Sequence, residues 1–197
     1  MKILHISDTH GKHHLLQDLP PADVIVHSGD VSLDGEDDEV MDFIEWFGAL
    51  PYKYKVFIAG NHDHCLHDAN IEGMPENCFF LNNSGVTIEG VKFYGMPMST
   101  VSILSGNYEN DIQNIPADTN VLITHQPPYC ILDLSEGTNY GDHDLLQKVL
   151  AVQPKCHLFG HVHGAYGIEK NDNTLFVNAA ILNKDYAIAN KAVLLEL

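Results

Sequence analysis

KVFIAGNHD, residues 55–63, is an apolar run that ends in a glycine and three polar residues which a protein core would not select. A run this short, rich in branched and aromatic side chains and closed by turn residues, is expected to form a buried strand. Upstream, VIVHSGD (24–30) and ILHISDTH (3–10) repeat the form, ending in Asp30 and in Asp8 with His10. Between the first two runs Leu15, Leu16 and Leu19 share a face, which predicts a helix over 13–19. Between the second and third, Val40, Phe43, Ile44 and Phe47 fall at helical spacing, predicting a helix over 37–50 with acidic residues 36–38 at its start and Pro51 limiting its end. The order βαβαβ, with strands apolar on both faces, calls for a buried parallel sheet.

Further along, 79–81, 85–89 and 91–95 are short apolar segments separated by Asn82-Asn83-Ser84-Gly85 and Glu89-Gly90. Such turns favour hairpins over crossovers. A polar loop is expected near Ser99 to Thr119, after which NVLITH (120–125) resumes the buried type. A helix is predicted over 142–152, with Leu145, Leu146, Val149 and Leu150 on one side, and strands over 157–160, 174–178 and 187–195. Repeats, linkers and low-complexity tracts are absent. The expected fold is one α/β domain spanning 1–197, built of two sheets with helices outside.

Composition narrows the function. The chain has 197 residues, 45% of them hydrophobic, enough for a packed core without staples. Its formal charge is −17 and its ten basic residues are all lysines, which argues against broad nucleic-acid binding. Cys65, Cys78, Cys130 and Cys156 form no CxxC pair and are expected as reduced thiols. The opening MKILHISDTHG is neither a signal peptide nor a membrane span, so cytoplasmic residence is the default expectation.

Five apolar strands end in polar groups: Asp8 with His10, Asp30, Asn61 with His62 and Asp63, His125, and His161 with His163. Singly, each is read first as a turn, a cap or a surface pair. Together they converge, because the carboxyl ends of strands in an α/β sheet meet on one edge. Asp8, His10, Asp30, Asn61, His125, His161 and His163 are seven candidate ligands, more than one four-coordinate ion uses, so the site reads as binuclear. Oxygen and imidazole donors without thiolate suit Mn, placed first, or Fe, Zn, Co and Ni, rather than Mg or Ca alone. Gly29, Gly60 and Gly160 precede ligands and are expected to let the backbone approach the metals. His5 and His27, inside strands, are expected to be structural, and His13 and His14 to face solvent or the cleft rim.

These motifs, D-x-H (8–10), GD (29–30), GNHD (60–63), a lone His125 and GHxH (160–163), resemble in order the motif set of the calcineurin-like metallophosphoesterases. The stretches DTHG, ITHQPP, PKCHLFGHVHGAYG and FVNAA are similar to its small phosphodiesterase-like branch, related to mammalian metallophosphoesterase-domain proteins. The resemblance implies a four-layer α/β/β/α sandwich of two mixed sheets flanked by helices. It implies that Asp8, His10 and His163 hold one divalent ion, that Asn61, His125 and His161 hold a second, and that Asp30 bridges them. His62 would stand near the leaving group, oriented by Asp63.

The expected activity is hydrolysis of a small phosphodiester or nucleotide by hydroxide held between the two ions. His64, His67, Tyr129, Asn139, His143 and Asn183 are rim candidates, Tyr129 being presented beside the metals by Pro127-Pro128. Alternatives are a nuclease acting on single strands or ends, which needs a basic groove, and a non-catalytic metal-binding interaction module, which would be expected to lose His62 or Asp30. The expected partner is a small phosphorylated substrate rather than a membrane, with homo-oligomer formation left open.

Overall fold

The apolar runs form strands that sort into two large sheets, with a separate two-stranded ribbon of Leu134–Ser135 and Thr138–Asn139. The computed structural model describes residues 1–67 and 69–197. In chain order the strands are β1 (Lys2–Ile6), β2 (Val24–His27), β3 (Tyr54–Phe57), β4 (Cys78–Phe80), β5 (Ser84–Ile88), β6 (Val91–Met96), β7 (Val121–Thr124), β8 (Leu134–Ser135), β9 (Thr138–Asn139), β10 (Cys156–Phe159), β11 (Gly167–Lys170), β12 (Leu175–Asn178) and β13 (Val193–Glu196). The helices are α1 (Asp37–Ala49), α2 (Thr100–Ser105), α3 (Tyr108–Gln113) and α4 (His143–Val152).

The first sheet has the order β13-β1-β2-β3-β4 and the second β11-β12-β10-β7-β6-β5. Both are mixed: β1 to β4 run parallel with β13 antiparallel, and β12, β10, β7 and β6 run parallel between antiparallel edges β11 and β5. Strand alternation divides the apolar residues among three layers. Ile3, Val24, Val26, Val56 and Ile58 meet Val121, Ile123, Leu158 and Val177 between the sheets. On the outer face of the first sheet, Leu4, Ile6, Ile25 and Phe57 pack against Val40, Phe43, Ile44 and Phe47 of α1. On the outer face of the second, Leu122, Phe159 and Phe176 pack against Ile112 of α3 and Leu145 and Val149 of α4. The result is the expected four-layer α/β/β/α sandwich.

Local chemistry accounts for the helix ends. Asp37, Asp38 and Glu39 occupy the first turn of α1, where their charge favours the positive end of the helix dipole. Its last cap, Leu50, is extended, as a residue preceding proline prefers. The Asp142 side chain accepts from Leu145 N at 2.7 Å and caps α4. Leu145 and Val149 of its expected apolar side are buried, while Leu150 stays 46% exposed.

Several expectations need correcting. The helix over 13–19 shrinks to a 3-10 turn at His13–Leu15, after which Leu16 is extended and Asp18 takes a positive φ; Leu15 stays exposed and Pro20-Pro21 leaves no room to continue. Segment 79–81 forms no hairpin, because β4 adds to β3 in parallel; of the three segments, 85–89 and 91–95 pair as one. The loop near 99–119 contains α2, capped by Ser99, and α3. The last predicted strand keeps only Val193–Glu196. Among the described residues no helix is long and apolar enough to cross a membrane.

Candidate metal centre

The carboxyl ends of β1, β2 and β3 share one edge of the first sheet, and those of β7 and β10 share one edge of the second. Where those edges meet, loops from the two sheets bond directly. His161 N–H donates to both Asp8 carboxylate oxygens at 3.0 Å, and His125 Nδ1 donates to the Ser28 carbonyl at 2.9 Å. Asp8 (φ 54°), His10 (φ 42°), Asp30 (φ 55°) and His161 (φ 66°) all lie in the left-handed region. For a non-glycine residue that conformation costs on the order of 1–3 kcal/mol and persists where the surroundings over-determine it, often at a functional site.

Gly60 and Gly160 give room to two of the site's carboxylates. A Cβ on Gly60 would collide with Asp30 Oδ1, and one on Gly160 with Asp8 Oδ2 and Ser7 Oγ. The missing side chains make room for the two buried carboxylates.

All seven candidate ligands come together. His10 Nε2 lies 3.3 Å from His163 Nε2, and His163 Nε2 lies 3.3 Å from Asp8 Oδ1. On the other side, His125 Nε2 lies 3.1 Å from Asn61 Oδ1. Asp30 Oδ2 stands between, 3.5 Å from His10 Nε2 and 3.3 Å from His125 Nε2. Asp8, His10 and His163 form one group whose donor atoms are close enough to share an ion; Asp30, His125 and His161 form another.

Tautomers test whether a cation fits. His10 Nδ1 faces the Ser32 carbonyl at 3.0 Å, His125 Nδ1 that of Ser28, and His163 Nδ1 that of Asn183 at 3.0 Å. A carbonyl only accepts, so each Nδ1 carries a proton, and wherever the ring is neutral its Nε2 turns a lone pair inward. The short His10–His163 Nε2 contact then opposes two lone pairs, and His125 Nε2 faces only oxygen acceptors. That is an unsatisfactory arrangement for a neutral, empty cluster and a suitable one for cations. Burial disfavours charge on Asp30, yet His125 and His10 hold its carboxyl well below the usual carboxylate range. Burial likewise opposes charging His125, but Asp30 and Asp8 push it up to about 9; burial takes His161 down to about 4. Protons and divalent ions compete for the same atoms here.

His62 N–H donates to Asp30 Oδ1 at 2.9 Å, its ring Nδ1 donates to the Leu33 carbonyl at 2.7 Å, and its ring stands edge-on to His10. The expectation that Asp63 orients His62 is therefore corrected. The buried Asp63 carboxylate accepts from Gly60 N (2.8 Å), Val31 N (3.2 Å), Ser32 N (2.9 Å) and Ser32 Oγ (2.6 Å). It ties the β2 loop to the β3 loop, a task that only an acceptor with several lone pairs performs. Burial, then the Asp30 charge, pushes Asp63 up to about 6 against those bonds.

The rim candidates separate. His64 and His67 line a cavity of about 490 Å³ that begins at Asn61 and continues past Asn82, Asn83 and Ser99. Tyr129 instead stacks on His143, with centroids 3.7 Å apart, and Asn139 Nδ2 bonds Cys130 Sγ. Asn183 acts through its backbone carbonyl on His163. Sequence reading missed Tyr186, whose ring is edge-on to His10 and His163 at 5.0 and 5.2 Å; no strand-end signal marks it. His13, expected at the surface, is buried.

Comparison with known proteins agrees with this geometry. The family model described as calcineurin-like phosphoesterase matches residues 1–165. The UPF0046 protein K07C11.7 of Caenorhabditis elegans is 37% identical, over 98% of this chain and 74% of its own length. Metallophosphoesterase domain-containing protein 1 of Homo sapiens is 32% identical, over 98% of this chain and 69% of its own. The fold is similar to that of TT1561 of Thermus thermophilus, with a TM-score of 0.65 at 15% identity over 91% of this chain and 88% of that one. With that family model spanning every strand-end motif, and with relatives matched along nearly its whole length, this chain belongs to the calcineurin-like phosphoesterase family of metal-dependent hydrolases.

Proposed function

We propose that this protein hydrolyses small phosphodiesters of the nucleotide type, with Asp8, His10 and His163 holding one divalent ion, Asn61, His125 and His161 a second, and Asp30 shared between them. The position of Asp30 carries the reading: one oxygen lies within 3.5 Å of an imidazole from each group. Two divalent ions held by these residues would supply Lewis acidity toward the phosphate oxygens and activate water as the nucleophile. The protein keeps the donors in place through the three Nδ1–carbonyl bonds, so little reorganisation is needed when charge develops. In its imidazolium form His62 holds one proton on the Leu33 carbonyl and presents the other, at Nε2, to the departing oxygen. Asp63 acts one step further out, by fixing the backbone that carries Asn61 and His62.

A diester is favoured over a monoester because the chain has no arginine to clamp a dianion and is strongly acidic. The cavity beside Asn61 mixes amides and hydroxyls with His64, His67 and Asp111 and with apolar Leu66, Met98 and Val101, a lining that suits the partly apolar, hydrogen-bonding part of a nucleotide rather than a second phosphate. Mn2+ is the preferred ion for this mixture of carboxylate, amide and imidazole donors. The four free cysteines support a reducing, cytoplasmic setting. To test the reading, metal-free protein is loaded separately with Mn2+, Co2+, Ni2+, Zn2+ or Fe2+ and assayed on linear diesters, cyclic nucleotides and monoesters. Metal-dependent turnover is expected, fastest on diesters; faster monoester cleavage overturns the substrate class, and no turnover with any ion overturns the enzyme reading.

A further inference from the structure

A second cluster of imidazoles lies outside the centre, where the turn after β1 meets α1. His13 Nε2 is 3.1 Å from Asp42 Oδ2, and His14 Nε2 is 3.1 and 3.0 Å from Asp42 Oδ1 and Oδ2. The three donor atoms lie within 4.8 Å of one another, as they do within each group of the binuclear centre. Both rings adjoin Trp46, with centroids 5.0 Å (His13) and 6.5 Å (His14) from it.

The two histidines are complementary in burial. His13 is wholly buried, and its Nδ1 makes no hydrogen bond among the described residues, so Nε2 is its polar outlet. Burial first, and the neighbouring His14 next, hold His13 below the ordinary imidazole range; its neutral ring gives the Nε2 proton to Asp42, and an ion bound at Nε2 would take that proton's place, with the ring proton moving to Nδ1. The side chains of His14 and Asp42 are 56% and 55% exposed, so an ion reaches them directly from solvent. The carboxylate accepts from both imidazoles at once, so the same two Nε2 atoms and one carboxylate oxygen already point at a common spot where an ion could replace the protons.

We propose that His13, His14 and Asp42 form a third metal site, separate from the binuclear centre, for a borderline divalent transition ion such as Zn2+, Ni2+ or Cu2+. Two imidazoles and one carboxylate with open positions is a donor set for those ions rather than for Mg2+ or Ca2+. Occupation would fasten the turn that follows Asp8 and His10 onto the second turn of α1.

Trp46 is the single tryptophan of the chain, so its emission reports this place. The full chain, in excess Mn2+, is titrated with Ni2+ while Trp46 fluorescence is followed, and the same is done for His14→Ala, Asp42→Asn and, as a control in the binuclear centre, His161→Ala. Saturable quenching is expected in the wild type and in His161→Ala. In His14→Ala and Asp42→Asn the apparent affinity is expected to fall by about 10- to 100-fold or more, as loss of a coordinating or supporting group does, with unaltered melting curves in Mn2+ and unaltered hydrolysis. Absence of saturable quenching in the wild type, quenching undiminished in both surface variants, or quenching abolished by His161→Ala in a protein that still melts cooperatively overturns the proposal.

Discussion

Within strands β1, β2 and β10, a histidine means something different from a histidine just beyond the strand's end. His5, His27 and His157 are fully buried along the strands and pair with hydroxyls: His5 Nε2 with Ser28 Oγ at 2.8 Å, His27 Nε2 with Thr9 Oγ1 at 2.9 Å, and His157 Nε2 with Thr124 Oγ1 at 2.9 Å. Burial drives all three down to about 3. A few residues further on, His10, His161 and His163 stand among carboxylates, with His10 and His163 braced by carbonyls at Nδ1. Depth along the strand therefore decides whether an imidazole is a neutral core residue or a candidate ligand. Only beyond the strand end do carboxylates from several loops gather within reach.

The strongest way to break this contrast is at the carboxylate that joins the two metal groups. Asp30→Asn keeps the shape but removes the shared charge, and is expected to lower kcat/KM by about a thousandfold or more and to leave fewer than two Mn2+ per chain by elemental analysis. His62→Gln should spare metal content and lower kcat by about a hundredfold; a loss of metal in that variant would make His62 a ligand instead. The strand-interior set is probed by acid. Each of His5, His27 and His157 binds a proton in the unfolded chain but not in the folded one between the ordinary imidazole pKa, about 6.5, and about 3. Stability should thus fall as pH falls through that window, by up to about 1.4 kcal/mol per pH unit for each ring, as urea unfolding at stepped pH would measure. The smallest effect is expected for His157→Asn, which loses the Thr124 contact and costs about 1–2 kcal/mol while metal content stays that of the wild type.

Much of the candidate site is legible in the chain because strand ends are local events. KVFIAG, VIVHSG and HLFG each stop at a glycine, and the polar residues next in the chain must leave the core, so Asp30, Asn61 and His161 declare themselves. The supporting contacts are not legible in this way. Leu33, Ser32, Ser28 and Asn183 act through carbonyls, and a backbone acceptor leaves no trace in residue type. Asp63 reads as a partner of His62 because it is next in sequence, yet the folded loop turns it onto the amides of Gly60, Val31 and Ser32. Tyr186 reaches His10 and His163 from a loop after β12 whose residues follow no strand pattern.

What the amino-acid order determined by itself was the alternation of buried strands and amphipathic helices and the seven polar side chains at strand ends, since hydrophobic period and chain termination are properties of short segments. Tertiary structure alone decided that β4 joins the first sheet in parallel and that His13 is buried with its Nε2 against Asp42. It also decided which nitrogen His10, His125 and His163 each turn inward. Those outcomes depend on which distant backbone lies opposite, and a partner separated by as many as 97 positions, as Ser28 is from His125, is chosen by sheet packing rather than by local propensity.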